Sequence, residues 1–177
     1  MKKAPLPVVE VVIMAALTAV LLLQKQLLTF LPNITLNFFL ILLYAKVLGL
    51  GRTAAIVTVY LLLDSILWGS LNPIFTSAQW IGWMWGPLIT CTLLKKTENS
   101  IPLAFSAAGF AFLYSWTMIV PTALVYTNQI KNLWAYLMVD IPWELMLAVS
   151  AFLPTLLLYE PMAKLMRRLW KKREQRS

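Results

Sequence analysis

The first apolar run in the sequence is VVEVVIMAALTAVLLLQKQLL, residues 8–28, and the rest of the chain repeats runs of this kind. Its middle carries a patch of small residues, Ala15-Ala16-Leu17-Thr18-Ala19. In a helix, Ala15 and Ala19 lie one turn apart on the same face, with Thr18 beside them. Small residues let membrane helices approach each other closely. We therefore expect this patch to pack against another helix, either within this chain or in a partner protein.

The composition is that of a membrane protein. Of the 177 residues, 60% are hydrophobic and 12% are charged, and the mean hydropathy is +0.76, whereas soluble domains are about one quarter charged. The beginning, Met1-Lys2-Lys3 before an apolar run, resembles a signal peptide. Because Glu10 interrupts that run and no small-x-small cleavage site follows it, we interpret the run as a retained first helix.

Six apolar segments separated by short polar joints predict an all-α membrane protein, a compact bundle of six transmembrane helices. The approximate limits of the segments are 8–28, 34–49, 52–70, 79–94, 101–126 and 134–160. The second would be only ~24 Å long as a helix, shorter than the ~30 Å hydrocarbon core. Either it is tucked among its neighbours or its ends are irregular. Residues 1–163 form the six-helix domain in this interpretation, and residues 164–177 form a basic juxtamembrane tail.

The basic residues predict the orientation, because Lys and Arg are enriched in cytoplasmic loops. With both termini in the cytoplasm, 13 of the 15 basic residues lie on that side, and only Lys25 and Lys131 lie outside. The 13 are Lys2, Lys3, Lys46, Arg52, Lys95, Lys96, Lys164, Arg167, Arg168, Lys171, Lys172, Arg173 and Arg176. We expect the chain in the plasma membrane, with its tail against anionic lipids rather than on nucleic acid.

Several chemistries are excluded by what the sequence lacks. It has no histidine and a single cysteine, Cys91, so it cannot form a Ser-His triad, an HExxH zinc site or an intrachain disulfide. No GxxxxGK[ST] motif is present, so the chain does not hydrolyse ATP by a P-loop mechanism. We expect neither catalytic residues nor a metal site. Any uphill transport must draw its energy from a partner or an ion gradient.

Tryptophan is concentrated at the predicted outer side of the membrane, while Trp116 lies deeper and Trp170 lies inside. The outer residues are Trp68, Trp80, Trp83, Trp85, Trp134 and Trp143. Aromatic belts normally occupy both interfaces. The one-sided excess therefore indicates either a lopsided belt or an outward-facing pocket for a flat, partly apolar ligand.

Acidic residues lie within the apolar segments: Asp64 in the third, and Asp140 and Glu144 one turn apart in the sixth, with Tyr136 and Trp143 on the same face. Such groups usually face a bundle interior or a wet cavity. Without a histidine or third carboxylate, the pair favours hydrogen bonding to a ligand or a structural partner over catalysis. Uncharged polar residues near the outer side suit a neutral, multi-amide or heteroaromatic ligand; they are Asn33, Thr35, Asn37, Asn72, Thr76, Ser77, Gln79, Thr127, Asn128 and Gln129.

A second close-packing pattern lies in the fourth segment. Gly82-Trp83-Met84-Trp85-Gly86 is a GxxxG sequence, which indicates a close helix crossing. The pattern does not distinguish an internal crossing from an intermolecular one.

The whole pattern resembles the S component of an energy-coupling-factor (ECF) type vitamin transporter. The resemblance rests on length, six spans with both ends inside, and the Ala15/Ala19 pair. It also rests on the joint Leu48-Gly49-Leu50-Gly51 after a short second span, and on the third-span ending Asp64-Ser65-Ile66-Leu67-Trp68-Gly69. It covers nearly the whole chain with short, degenerate motifs.

The resemblance implies a non-catalytic subunit that binds a micronutrient from outside. It would dock on a transmembrane coupling subunit and two cytoplasmic ATPases, which alone use ATP and Mg, and would release the ligand inward. The docking residues would be Ala15, Thr18 and Ala19. The substrate-binding residues would be Asn37, Asp64, Trp68, Asn72, Trp80, Trp83, Trp116, Tyr136, Asp140, Trp143 and Glu144.

The ligand and the class of protein have alternatives. A large neutral cofactor, cobalamin, is the first expectation, and pantothenate, a pyridoxine-like vitamin and queuine stay open. A different class is a self-sufficient proton-coupled carrier or channel that uses Asp64, Asp140 and Glu144. A third is a structural membrane subunit whose aromatic residues only anchor it.

Overall fold

The computed structural model describes residues 8–69, 71–125 and 133–174, and within these ranges the chain is helical and contains no strand. The predicted all-α class is therefore confirmed. The helices are α1 (Val8–Leu27), α2 (Asn37–Leu48), α3 (Leu50–Leu67), α4 (Pro73–Thr92), α5 (Ser100–Val125) and α6 (Leu133–Glu174).

The short helix α2 forms the centre of the bundle. Its 12 residues span about 18 Å, and ten of them are buried. It contacts each of the other five helices. A helix that is apolar on every side is stable only where it is surrounded by apolar groups. Of the two alternatives for the short second segment, burial among its neighbours is therefore the observed one.

Helices α1 and α3 run parallel and are joined by an ion pair near each end. Arg52 donates through Nε to Glu10 Oε1 at the beginning of both helices. Lys25 pairs with Asp64 near the end of both helices. The pairs are about 22 Å apart along α1 and about 18 Å apart along α3. Together they fix the direction and the register of the two helices.

The described beginning of α1 and the end of α6 lie at the same end of the bundle. The guanidinium of Arg52, which pairs with Glu10, lies 5.2 Å from the ring centroid of Trp170. At this end Arg167 Nη2 also donates to Glu98 Oε2 at 2.6 Å. Burial raises the pKa of Glu98, but the hydrogen bond and charge of Arg167 outweigh it, so the pKa lies below its usual value.

Four of the described helices are long and apolar enough to cross a membrane, namely α1, α3, α5 and α6. Helix α2 is shorter, and α4 is not among the four. The six predicted segments thus exist as six helices, of which four are candidate spans. Helix α6 continues through Lys164 to Glu174 without a break, so the described part of the basic tail extends the last helix.

The GxxxG pattern of α4 packs internally against α5. Gly82 and Gly86 are both buried. A Cβ atom on Gly82 would lie 2.8 Å from Tyr114 Cδ2, and one on Gly86 would overlap the ring of Phe110. Because Phe110 and Tyr114 are one turn apart on α5, the two glycines form a groove that receives both rings.

We predict that Gly86→Ala destabilises the bundle by about 1–3 kcal/mol, because the new methyl group would force the buried Phe110 ring to move. Gly109→Ala in α5 is the matched control, since nothing lies within 4 Å of the added Cβ there. That substitution is expected to be neutral or to stabilise the helix by up to about 1 kcal/mol. Thermal unfolding in detergent measures both variants, and equal melting temperatures would contradict the internal crossing.

Candidate ligand-binding site

A cavity of about 390 Å³ lies at the end of the bundle where α2 begins. Its wall combines residues of all six helices with the segment 28–36 that joins α1 to α2. The lining residues are Lys25, Thr29, Leu31, Asn33, Ile34, Thr35, Asn37, Phe38, Tyr60, Asp64, Trp68, Gln79, Trp83, Tyr114 and Leu147. Since α2 is too short to fill the bundle along its length, its first turn forms one wall of the cavity.

Aromatic rings form the apolar side of the cavity. The ring centroids of Trp83 and Tyr114 are 4.3 Å apart, and those of Phe38 and Trp83 are 5.0 Å apart. Phe110 packs edge-on against Phe38, with ring centroids 5.0 Å apart, and against Trp83, with centroids 6.0 Å apart. The first two pairs are tilted and the last two are edge-to-face, and close aromatic contacts of this kind are favourable. The result is a rigid surface on which a flat ligand can stack.

Asn37 is the centre of a polar network beside these rings. Its Oδ1 accepts a hydrogen bond from Gln24 Nε2, and its Nδ2 donates to the Tyr60 hydroxyl at 2.7 Å. Gln24 Oε1 accepts from the backbone N–H of Leu36 at 2.9 Å. Thr35 Oγ1 accepts from the backbone N–H of Asn37 at 3.2 Å. The buried amides are thus held in one orientation, and they link α1, α2 and α3.

Lys25 and Asp64 supply the charges of the cavity. Lys25 Nζ lies 2.8 Å from Asp64 Oδ1 and 2.6 Å from Oδ2, and 5.9 Å from the ring centroid of Trp68. The Lys25 side chain is 36% exposed and that of Asp64 is 9% exposed. The partner of Asp64 is therefore a lysine. Asp64 is satisfied within the chain, while Lys25 keeps an accessible face.

A smaller cavity of about 180 Å³ adjoins the first. Three residues line both cavities: Asn33, Tyr114 and Leu147. The smaller one is also lined by Ser115, Met118, Asp140, Trp143 and Glu144. Among the described residues, no group of three or more acidic, histidine or cysteine side chains is arranged to hold a metal ion.

The structure brings together seven of the eleven predicted binding residues. Asn37, Asp64, Trp68 and Trp83 line the larger cavity, and Asp140, Trp143 and Glu144 line the smaller one. Tyr136 lies in α6, but its side chain is outside the described part of the structure. The other three line neither cavity.

Asn72, Trp80 and Trp116 make contacts away from the two cavities. Asn72 caps α4, since its Oδ1 accepts from the backbone N–H of Ile74 at 3.0 Å; this cap starts α4 earlier than the predicted residue 79. Trp80 Nε1 donates to Thr58 Oγ1 at 2.9 Å on the outer surface. Trp116 is exposed and contacts Phe112. A buried or half-buried Trp ring needs one polar partner for its N–H, and Thr58 is that partner for Trp80.

The sequence did not single out several residues that form the cavity. Lys25 is predicted only to lie on the outer side, because a lysine in the last turn of an apolar helix is already explained by the helix dipole and the membrane interface. Tyr60, Tyr114 and Phe38 carry no sequence signal that separates them from ordinary apolar packing. Their role depends on which helices meet, and that is a property of the tertiary structure.

The small-residue face of α1 is partly different from the prediction. Ala15, Ala16 and Ala19 are exposed. Thr18 is buried, and its hydroxyl donates to the Met14 carbonyl at 2.9 Å. Because Thr18 points into the bundle, it is not available to a partner, and the exposed surface consists of the alanines.

Comparisons with protein-family models, with curated proteins and with solved structures each found no match. The function is therefore inferred from the chain's own residues and their geometry.

We predict that substitutions of Lys25 and Asp64 have strongly coupled effects on the free energy of unfolding. Asp64→Asn and Lys25→Met are each expected to lower stability by about 1–3 kcal/mol, because each leaves a partly buried charge without its partner. The double variant should recover part of that loss. A double-mutant cycle of thermal unfolding measures the coupling energy.

The matched control is the exposed pair of Glu98 and Arg167 at the opposite end, with side chains 55% and 41% exposed. Its coupling is expected to be below about 1 kcal/mol. Additive losses at Lys25 and Asp64 would show that their contact does not stabilise the bundle.

Proposed function

We propose that this chain is the membrane-embedded substrate-binding subunit of an ATP-driven, ECF-type micronutrient importer. The observation that carries the proposal is the cavity of stacked rings and oriented amides at one end of an apolar helical bundle. Binding pockets for small molecules are mostly apolar, with a few convergent polar groups. This cavity has that composition, with no histidine and no metal-ligand cluster among its described lining residues.

The size of the cavity favours a small ligand. About 390 Å³ is near the lower limit of the ~300–1,000 Å³ range of small-molecule pockets. A corrinoid is several times larger than a single-ring or two-ring vitamin. The proposal therefore replaces cobalamin, the first expectation, with a flat micronutrient such as a pyridoxine-like vitamin or queuine, or with pantothenate.

The proposed membrane arrangement follows from the two ends of the bundle. The end with Glu10, Arg52 and Arg167 carries the dense basic segment of α6, which suits the cytoplasmic face and anionic lipids. The cavity lies at the opposite end and would open to the outside of the plasma membrane. The exposed alanine face of α1 is suited to close approach by a helix of the coupling subunit, and two partner ATPases would supply the energy.

A second candidate is a self-sufficient proton-coupled carrier. The observation that favours it is the group of ionisable side chains, Asp64, Asp140 and Glu144, that line adjoining cavities. Chains of acidic residues inside membrane proteins form proton pathways in pumps and transporters. The two candidates differ in whether the chain alone moves its ligand.

We predict that Ala15→Trp/Ala19→Trp abolishes uptake and leaves ligand binding within about twofold of wild type, because bulky side chains block helix docking at a distance from the cavity. Ligand binding is measured on the full chain in nanodiscs with a panel of B vitamins, corrinoids and queuine. Uptake of the bound compound is then measured in cells with and without the ATPases and the coupling subunit.

Ala55→Trp is the matched control, since Ala55 is an exposed alanine on α3, and uptake should survive that change. Uptake by the chain alone in proteoliposomes, with a rate that follows the pH gradient, would support the carrier instead. Normal uptake by the double Trp variant would contradict the docking face.

A further inference from the structure

The smaller cavity contains a buried acceptor without a partner. Glu144 lines this cavity and is 4% exposed. Its Oε1 atom is shielded from solvent and has no hydrogen-bond partner among the described residues. Buried polar atoms in native proteins are nearly always paired, since an unpaired one keeps the full penalty of its desolvation. An oxygen in this state can accept a hydrogen bond from a ligand.

The surroundings of Glu144 favour a donor that carries positive charge, such as a protonated nitrogen. Asp140 lies one turn earlier on α6 and lines the same cavity, so two carboxyl groups face one small volume. Trp143 and Tyr114 add aromatic rings to its wall. Carboxylate oxygens accept hydrogen bonds from N–H groups, and aromatic faces attract cationic nitrogen. None of the described residues that line this cavity is basic, so no side chain there competes for the acceptors.

The smaller cavity shares part of its wall with the larger one. Asn33, Tyr114 and Leu147 belong to both walls. A ring that stacks on Trp83 and Tyr114 would therefore have a substituent within reach of Glu144. The volume of about 180 Å³ is enough for an aminomethyl or amino group.

We propose that Glu144, together with Asp140, forms a subsite for an amine, amidine or amino-heterocycle nitrogen of the ligand whose ring occupies the larger cavity. This inference rests on the proposed function, because it assumes that the larger cavity binds a small flat micronutrient. It narrows the class of ligand: the compound carries an N–H donor on a short substituent of its ring, or on the ring edge itself. Glu144 then gains a hydrogen bond that none of the described residues supplies.

The test uses pairs of probes in which a methyl group replaces the group that carries the nitrogen donor. They are pyridoxamine against 4-deoxypyridoxine, and 4-amino-2-methylpyrimidine against 2,4-dimethylpyrimidine. Binding to the full chain in nanodiscs is measured by calorimetry. Wild type is expected to bind the nitrogen-bearing member of at least one pair about tenfold more tightly or better, since a buried acceptor discriminates against a ligand without the donor.

Glu144→Gln is expected to remove that preference. The dissociation constant of the nitrogen-bearing member should rise about tenfold, and that of the other member should change by less than about twofold. Glu144→Asp, which keeps the carboxylate, should restore part of the preference. Glu160→Gln is the matched control, because Glu160 is an exposed acid on the same helix and lines neither cavity. Melting temperatures of the unliganded variants show whether each one folds.

The outcomes separate the two proposals. If the members of each pair bind equally to wild type, or if Glu144→Gln keeps the preference, the subsite is wrong. If Trp83→Ala weakens binding in that case, the result would still support ligand binding in the larger cavity and the proposed function. If none of these probes nor any compound of the vitamin panel binds the wild-type chain, both proposals are contradicted.

Discussion

The burial of one short helix determines much of this structure. Helix α2 is apolar around its whole circumference, and at about 18 Å it cannot cross the ~30 Å hydrocarbon core of a bilayer. Its stable position is therefore inside the bundle, in contact with all five other helices. The same shortness leaves the bundle incomplete beyond Asn37. The larger cavity lies there, so the constraint that organises the core also provides the space for a ligand.

Charged groups within the apolar helices are arranged in relation to this core. The pairs of Glu10 with Arg52 and of Lys25 with Asp64 hold α1 against α3 at both ends. Only the second pair borders the cavity, where Lys25 keeps an accessible face. Glu144 differs from these four residues, since its Oε1 has no partner among the described residues. The contrast between satisfied and unsatisfied carboxyl groups is what separates a structural charge from a candidate ligand contact.

The sequence predicts the helices better than it predicts the site. Hydropathy and length are local properties, so the six segments and the shortness of the second follow from them directly. The positions of Asp64, Trp83 and Glu144 near a cavity also follow, because polar or aromatic groups in apolar helices tend to face the interior. The lysine partner of Asp64 lies 39 residues earlier in the chain, and no local pattern connects the two.

Two further differences between the sequence predictions and the structure have the same cause. Surface tryptophans and cavity tryptophans look alike in a sequence, and only Trp83 among the outer set is buried. Thr18 shares a turn with Ala15 and Ala19, yet Thr18 is buried while both alanines are exposed. In each case, whether the side chain is buried depends on which neighbouring helix contacts the residue.

The central claim is that the larger cavity binds one small micronutrient. Native mass spectrometry of the full chain, released from nanodiscs after incubation with the vitamin panel, tests it most directly. We expect one bound molecule per chain in wild type and in Thr92→Trp, whose exposed threonine lies outside the cavity, and no bound molecule in Thr29→Trp, which places an indole in the cavity wall. Equal occupancy in wild type and Thr29→Trp, or no bound compound in wild type, would contradict the account.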